Sequence, residues 1–454
     1  MPRDEETRED RREERPRPSL RVKLAVVASS LLVGLLVFEI FLRAIGFTYP
    51  VFYEPDASRG YALKAGMQGW YRKEGVAFVK INSEGLRDRE HAKEKPPGTL
   101  RVAVVGDSYA EAFQVSQEQA FWAVMERRLQ ACPPLGGRRV EVINFGVSGY
   151  GTAQELITLR ERVWEYSPDV VLLAVTTNND VLDNSRALKL TDEIPYFTLR
   201  EGRLVLDDSF RDARSFKLRG SALNRTGRWI RDRLRFVQAI HLAQVAIKSR
   251  LDAWRDRRRA AEEKRKAAGA RPNYPDRRPH ALAIALQQPG APTDELGAAN
   301  VIYREPSDDT WRDAWAVTEK LVATMSAEVK EHGARFLLVT LSNGIQVDPD
   351  ASARRAFADR LGVGDLFYPE RRFRALGERE GFPVLNLAPE LQRLADERKL
   401  FLHGFGRERG NGHWNEDGHR IAGELLAENL CGLLARAGDA ETPREDGLRE
   451  GGRP

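Results

Sequence analysis

The sequence predicts an α/β protein of flavodoxin-like, three-layer α/β/α architecture with a central parallel sheet, preceded by one N-terminal transmembrane helix. Three observations predict it. From Leu100 onward, branched apolar runs alternate with segments of helical period, the pattern of parallel strands covered by helices on both faces. The first run, Arg101-Val102-Ala103-Val104-Val105, ends in Gly106-Asp107-Ser108. That places a serine on a strand-to-helix turn, at the carboxyl edge where open α/β sheets bind ligands. Nearer the amino terminus, Leu24 to Leu42 is a mainly apolar run whose only charge is Glu39. At about 1.5 Å per residue this run matches the hydrocarbon core of a bilayer.

In chain order, residues 1–23 form a charged tail in which eight Lys/Arg face seven Asp/Glu. Residues 24–47 are the anchor. The polar leader is long and no small-x-small site follows Phe47, which favours an uncleaved helix over a signal peptide. Arg15, Arg17, Arg21 and Lys23 crowd before it, so the amino terminus is expected in the cytoplasm and the chain from Thr48 outside, in the periplasm or at the cell surface. Glu39 lies near the helix end, within reach of the interface, and is assigned no chemistry. Residues 48–98, rich in Gly, Pro and Tyr, read as a stalk or collar with an edge strand over Val76–Ile81.

The catalytic domain is expected over 99–436. Its strands are Arg101–Val105, Val140–Asn144, Val170–Val175, Phe336–Leu341 and Pro383–Leu387. Helices are expected over Gln117–Gln130, Ala153–Tyr166, Trp311–Glu331, Arg371–Glu380 and Glu416–Leu434. Trp311, Trp315, Val322, Met325 and Val329 form a core-facing stripe. An insertion over 183–309 opens with a hairpin around Glu201-Gly202 and continues as helix from Asn224 to Trp254. Arg250 to Pro279 holds eleven Lys/Arg against five Asp/Glu, a solvated helix running into a flexible loop, with anionic lipid or polysaccharide as a conceivable contact. Residues 437–454 read as a disordered tail.

The strand ends carry the chemistry. Gly-Asp-Ser alone is equally a turn and a helix N-cap. The second strand is followed by Asn144-Phe145-Gly146-Val147-Ser148-Gly149, the third by Thr176-Thr177-Asn178-Asn179-Asp180. In strand order 2-1-3-4-5 both loops border the first strand. The Ser108 and Gly149 N–H groups and the Asn179 amide are then candidate oxyanion donors, and Ser108 is a candidate nucleophile. A serine needs a base, and His413 lies in a loop before the last helix, at the same sheet edge. His419, a turn into that helix, reads as structural.

This order of Gly-Asp-Ser, Gly, Asn-Asp and a C-terminal His resembles the SGNH (GDSL-type) hydrolase superfamily over about residues 100–182 and 311–436. Ile81-Asn82-Ser83-Glu84-Gly85-Leu86-Arg87-Asp88 is similar to the collar of its membrane-anchored bacterial members. The resemblance implies Ser108 as nucleophile, His413 as general base, and Ser108, Gly149 and Asn179 as the oxyanion hole. Two positions depart from the family: Gly410 stands where members carry the triad Asp, and Thr177 where they carry Gly. Glu408 and Asp417 lack the family spacing for a replacement. The Gly-x-Ser-x-Gly elbow of α/β-hydrolases is absent.

Cys132 and Cys431 are too few for a disulfide framework or a cysteine metal site. In the predicted strand order the helices carrying them cover one face and end together, so they form either one disulfide, favoured by an oxidising compartment, or two unrelated buried thiols. No metal or organic cofactor is implied, and a formal charge of +5 over 454 residues is no nucleic-acid signature. The expected activity is that of a serine esterase on acylated polysaccharide or lipid of the cell envelope. The rivals are an O-acyltransferase using the same acyl-enzyme and a non-catalytic scaffold of the same fold.

Overall fold

A computed structural model describes residues 19–269 and 297–441. They fall into two units, 19–49 with 227–269, and 50–226 with 297–441.

In the second unit, the collar residues pair as two antiparallel hairpins. One joins β1 (Tyr53–Asp56) to β2 (Gly60–Leu63), the other β3 (Gln68–Tyr71) to β4 (Ala77–Lys80). The strand expected over Val76–Ile81 is thus one arm of a hairpin. The collar is then tied to the sheet through its Asn82–Asp88 stretch. Asn82 Oδ1 accepts from the Glu84 and Leu86 N–H groups, and the Asp88 carboxylate accepts from the Asn144 N–H at 2.9 Å.

The expected strands appear as β5 (Thr99–Gly106), β6 (Arg139–Asn144) and β7 (Val170–Thr176), then β10 (Arg335–Leu341) and β11 (Val384–Asn386), after an insertion hairpin of β8 (Tyr196–Arg200) and β9 (Arg203–Asp207). The five form one parallel sheet in the order β11-β10-β7-β5-β6, which is the 2-1-3-4-5 order. Every residue of β5 and β7 is buried, because helices cover both faces. Side chains alternate between the two layers. Ala103, Val105, Ile143, Val171 and Leu173 pack into one core with Trp315 and Met325, whereas Val102, Val104, Val142, Val170 and Leu172 pack into the other with Trp122 and Leu426.

The core stripe Trp311, Trp315, Val322, Met325 and Val329 is buried along the helix Asp309–Glu331. Two helices, Ala351–Leu361 and Leu387–Arg398, were outside the expected set. The helix expected over Gln117–Gln130 is a single 3-10 turn and the helix Phe121–Leu129, split at Ala120 where the backbone turns extended. The last helix, Glu416–Glu441, reaches into the stretch expected to be a disordered tail. The remainder of that tail, the first 18 residues and residues 270–296, where the flexible loop was expected, lie outside the described residues.

In the first unit, Leu20–Ala44 is one helix, long and apolar enough to cross a bilayer. The insertion's helical stretch is two helices, Ala222–Arg233 and Arg235–Gly269, meeting at Leu234, so the basic run from Arg250 remains helical to Gly269.

Candidate active site

β5 delivers Ser108 to the sheet edge, where a four-residue helical turn, Ser108–Glu111, starts at once. Asp107 caps that turn by accepting from the Tyr109 N–H at 3.0 Å. The same carboxylate accepts from the Thr176 hydroxyl at 3.0 Å and from Asn179 Nδ2 at 2.8 Å. Asp107 therefore locks the end of β7 to the serine turn, and one of the two Asn179 amide hydrogens is committed to it.

The loop after β6 is held from the other side. Glu111 accepts from the Ser148 N–H at 3.0 Å and from the Tyr53 hydroxyl at 2.8 Å, and Tyr61 donates its hydroxyl to the Ser148 carbonyl at 2.9 Å. Ser148, the residue preceding Gly149, is thus held at its N–H by the serine turn and at its carbonyl by the collar. Burial pushes the Glu111 carboxyl up to about 7, against the lowering effect of the Ser148 N–H and the Tyr53 hydroxyl.

His413 Nε2 lies 2.8 Å from Ser108 Oγ. Its other ring nitrogen, Nδ1, lies 2.5 Å from Glu74 Oε2, and the second oxygen of that carboxylate accepts from the His413 backbone N–H at 2.7 Å. The chain Ser108–His413–Glu74 has the connectivity of a nucleophile, a base and the acid that orients the base. Burial disfavours the imidazolium, yet the Glu74 carboxylate outweighs it and His413 is held above the ordinary histidine range. Glu74 responds in the opposite sense: burial raises it, the hydrogen bond and charge of His413 lower it more, and it ends below the ordinary value.

Glu74 was not among the residues singled out from sequence. It sits on the tip of the β3–β4 hairpin, 339 residues from its partner. Two glycines let it in. A Cβ on Gly412, where φ is +80°, would lie 2.2 Å from Glu74 Oε1, and one on Gly75, where φ is +67°, would lie 2.3 Å from the Gln114 carbonyl oxygen. The Glu74-Gly75 pair and a glycine just before the histidine are the only traces this arrangement leaves in the sequence. Gly410 supplies no carboxylate, and both ring nitrogens of His413 are already partnered, so neither Glu408 nor Asp417 has a role there; Asp417 pairs with Arg420 at 2.8 Å.

A second histidine stabilises the loop. His403 Nδ1 lies 2.7 Å from the Gly412 carbonyl, which also accepts from the Tyr109 hydroxyl at 3.1 Å. His403 Nε2 lies 2.9 Å from the Ser342 hydroxyl, itself bonded by Trp414 Nε1. Burial pushes His403 down to about 4, so it is neutral and its Nδ1–H donates to that carbonyl. His419 is buried, stacked on Phe121 and bonded by the Phe121 N–H, as a structural residue would be. At the far end of the domain, Cys132 and Cys431 are joined by a disulfide with Cα atoms 5.9 Å apart. Among the described residues no group of three or more His, Cys, Asp or Glu side chains could hold a metal ion.

No family model matches the sequence, and no curated protein matches it. Among solved structures, the acetyl xylan esterase AlAXEase is similar at 12% identity and a TM-score of 0.34, covering 73% of this chain and 100% of its own. A catalytic mutant of an acetylxylan esterase from Geobacillus stearothermophilus is similar at 12% identity and a TM-score of 0.33, covering 74% and 96%. TesA is similar at 14% identity and a TM-score of 0.30, covering 74% and 97%.

Proposed function

We propose that this chain is a serine esterase of the SGNH type that removes acyl groups from esters at the cell envelope. The observation that carries the reading is the unbroken hydrogen-bonded chain from Ser108 Oγ through His413 to Glu74. His413 Nε2 takes the hydroxyl proton as Ser108 Oγ bonds to the acyl carbon. The Glu74 carboxylate holds the ring by Nδ1–H and balances the imidazolium. The Ser108 and Gly149 N–H groups and the second N–H of Asn179 are the donors we assign to the oxyanion. The imidazolium then protonates the departing alkoxide, leaving an acyl-serine. Water, deprotonated by His413, attacks that ester, and the proton returns to Ser108 as the free acid leaves.

Placing the domain outside the membrane, with Leu20–Ala44 as a single-pass anchor and an acylated polysaccharide or lipid as substrate, completes the proposal. The basic leader and the disulfide support that side of the membrane.

The test is fluorophosphonate labelling of the full-length protein, with acetate release from acetylated oligosaccharides measured in parallel. The wild type is expected to label, Ser108→Ala to lose the label, and His413→Ala to label far more slowly. A folded wild type that does not label contradicts the proposal and leaves a scaffold. Acyl groups appearing on an added sugar instead of as free acid would make the enzyme a transferase.

A further inference from the structure

The anchor and the insertion meet through one charged pair. Glu39 and Leu42 are the two buried residues of the helix Leu20–Ala44. The Glu39 carboxylate accepts from the Arg235 and Phe236 N–H groups at 3.0 and 2.9 Å, which are the first N–H groups of the helix Arg235–Gly269. Arg43, one turn on and paired with Glu39 at 2.8 Å, donates to the Arg233 carbonyl at the end of the helix Ala222–Arg233. An acid thus meets the positive end of one helix and a base the negative end of the other. Gln238 tightens the same elbow, accepting from the Tyr49 N–H at 2.9 Å and donating to the Arg231 carbonyl at 3.2 Å.

The depth of this clamp follows from the anchor. Glu39 lies six residues from Val33, the centre of the apolar run Leu24–Leu42, or about 9 Å along the axis, whereas the hydrocarbon of a bilayer extends about 15 Å from its midplane. Glu39 is thus about 6 Å inside the hydrocarbon edge, a depth from which the long arginine side chains of the elbow at Leu234 reach the headgroups. The elbow's composition suits that place. Arg225, Arg228, Arg231, Arg233 and Arg235 face a single acid, Asp232. Leu223 and Ile230, seven residues apart on one face, are exposed, as is Trp229, which carries the Arg233 guanidinium 4.2 Å from its ring centroid. Apolar and indole groups beside arginines are the composition of a helix lying among lipid headgroups.

We propose that the elbow around Leu234, gripped by Glu39 and Arg43, is a membrane-surface element that binds the anionic headgroups of the leaflet at the C-terminal end of the span. This rests on the reading of Leu20–Ala44 as membrane-spanning, and the experiment separates the two. Full-length protein is placed in nanodiscs of phosphatidylcholine, with and without phosphatidylglycerol. A nitroxide is attached at Ile230→Cys or, as a reference for the span, at Val33→Cys, the two native cysteines being bonded to each other. Collision with oxygen reports lipid, and collision with a water-soluble nickel chelate reports water.

The label at 230 is expected to lose its nickel collisions in the discs containing phosphatidylglycerol. It should regain them when Arg228, Arg231 and Arg233 are replaced by glutamate, or when Glu39→Leu releases the clamp. Nickel access at 230 in both discs, with the label at 33 in lipid, overturns the proposal while leaving the anchor standing. Exclusion of both reagents at 230, as when a second protein copy or a polysaccharide covers the face, also overturns it. Nickel access at 33 removes the anchor, and the proposal with it.

Discussion

The edge of the parallel sheet and the tip of the collar hairpin each contribute to the same chain of hydrogen bonds, and they do so by different physics. At the sheet edge, Ser108 follows a strand buried along its whole length and His413 precedes the last helix, so their places are set by continuous secondary structure. At the collar, Glu74 stands on a hairpin of two four-residue strands and reaches His413 through a close approach that only Gly412 and Gly75 permit. The sheet edge is specified by patterns that repeat along the chain. The collar contact is specified by shape at two points.

The comparison can be broken from either side. Ser108→Ala removes the sheet's contribution and is expected to lower kcat by about 10^5- to 10^6-fold, read as ester hydrolysis by folded protein. Gly412→Ala attacks the approach instead. Its methyl group would occupy the place of Glu74 Oε1, and its φ of +80° disfavours a side chain. Expulsion of Glu74 should cost about 10^2- to 10^4-fold in kcat together with roughly 1–3 kcal/mol of stability, while Gly410→Ala, whose Cβ has its closest contacts at 3.4 Å, keeps a larger share of the activity.

The smallest effect concerns the joint between the two regions. Glu111 is buried and held near 7, above its ordinary 4.5, so the native state binds a proton that the unfolded chain releases. Its contribution to stability is full below about 4.5 and is lost as pH rises through about 7. Glu111→Gln keeps an acceptor for the Ser148 N–H and abolishes that loss. The variant should therefore gain on the wild type in melting temperature between pH 5 and pH 8, by the equivalent of about 2–4 kcal/mol at most. An unchanged difference across that range would place the Glu111 carboxylate in water.

Much of the sheet edge was legible because its signals are local. Val102 to Val105 and Val170 to Val175 read as strands buried on both faces, and the flavodoxin-like 2-1-3-4-5 order expected for such a chain puts the loops after β6 and β7 beside Ser108. The neighbourhood of Cys132 and Cys431 was legible in the same way, since two helices on one face of the expected sheet order have neighbouring ends, but only the structure decides for the disulfide over two separate thiols. Glu74 was not. Gly410 showed that a carboxylate was missing from its usual place, but nothing periodic connects residue 74 to residue 413. The role of Glu39 was hidden for a related reason: an acid in an apolar run reads as a cost until the helix end that satisfies it is in view.

Glu74 brings a carboxylate from the collar to His413, the contact on which the proposed chemistry most depends. The measurement that tests it most directly is the rate of fluorophosphonate labelling as a function of pH for wild type and Glu74→Gln. In the wild type the rate should rise with pH as His413 loses its proton, with a midpoint above the ordinary 6.5 because Glu74 stabilises the imidazolium. In Glu74→Gln the rate should fall by about 10^2- to 10^4-fold and the midpoint should move to lower pH. A folded Glu74→Gln protein with the wild-type rate and the wild-type midpoint would contradict the account.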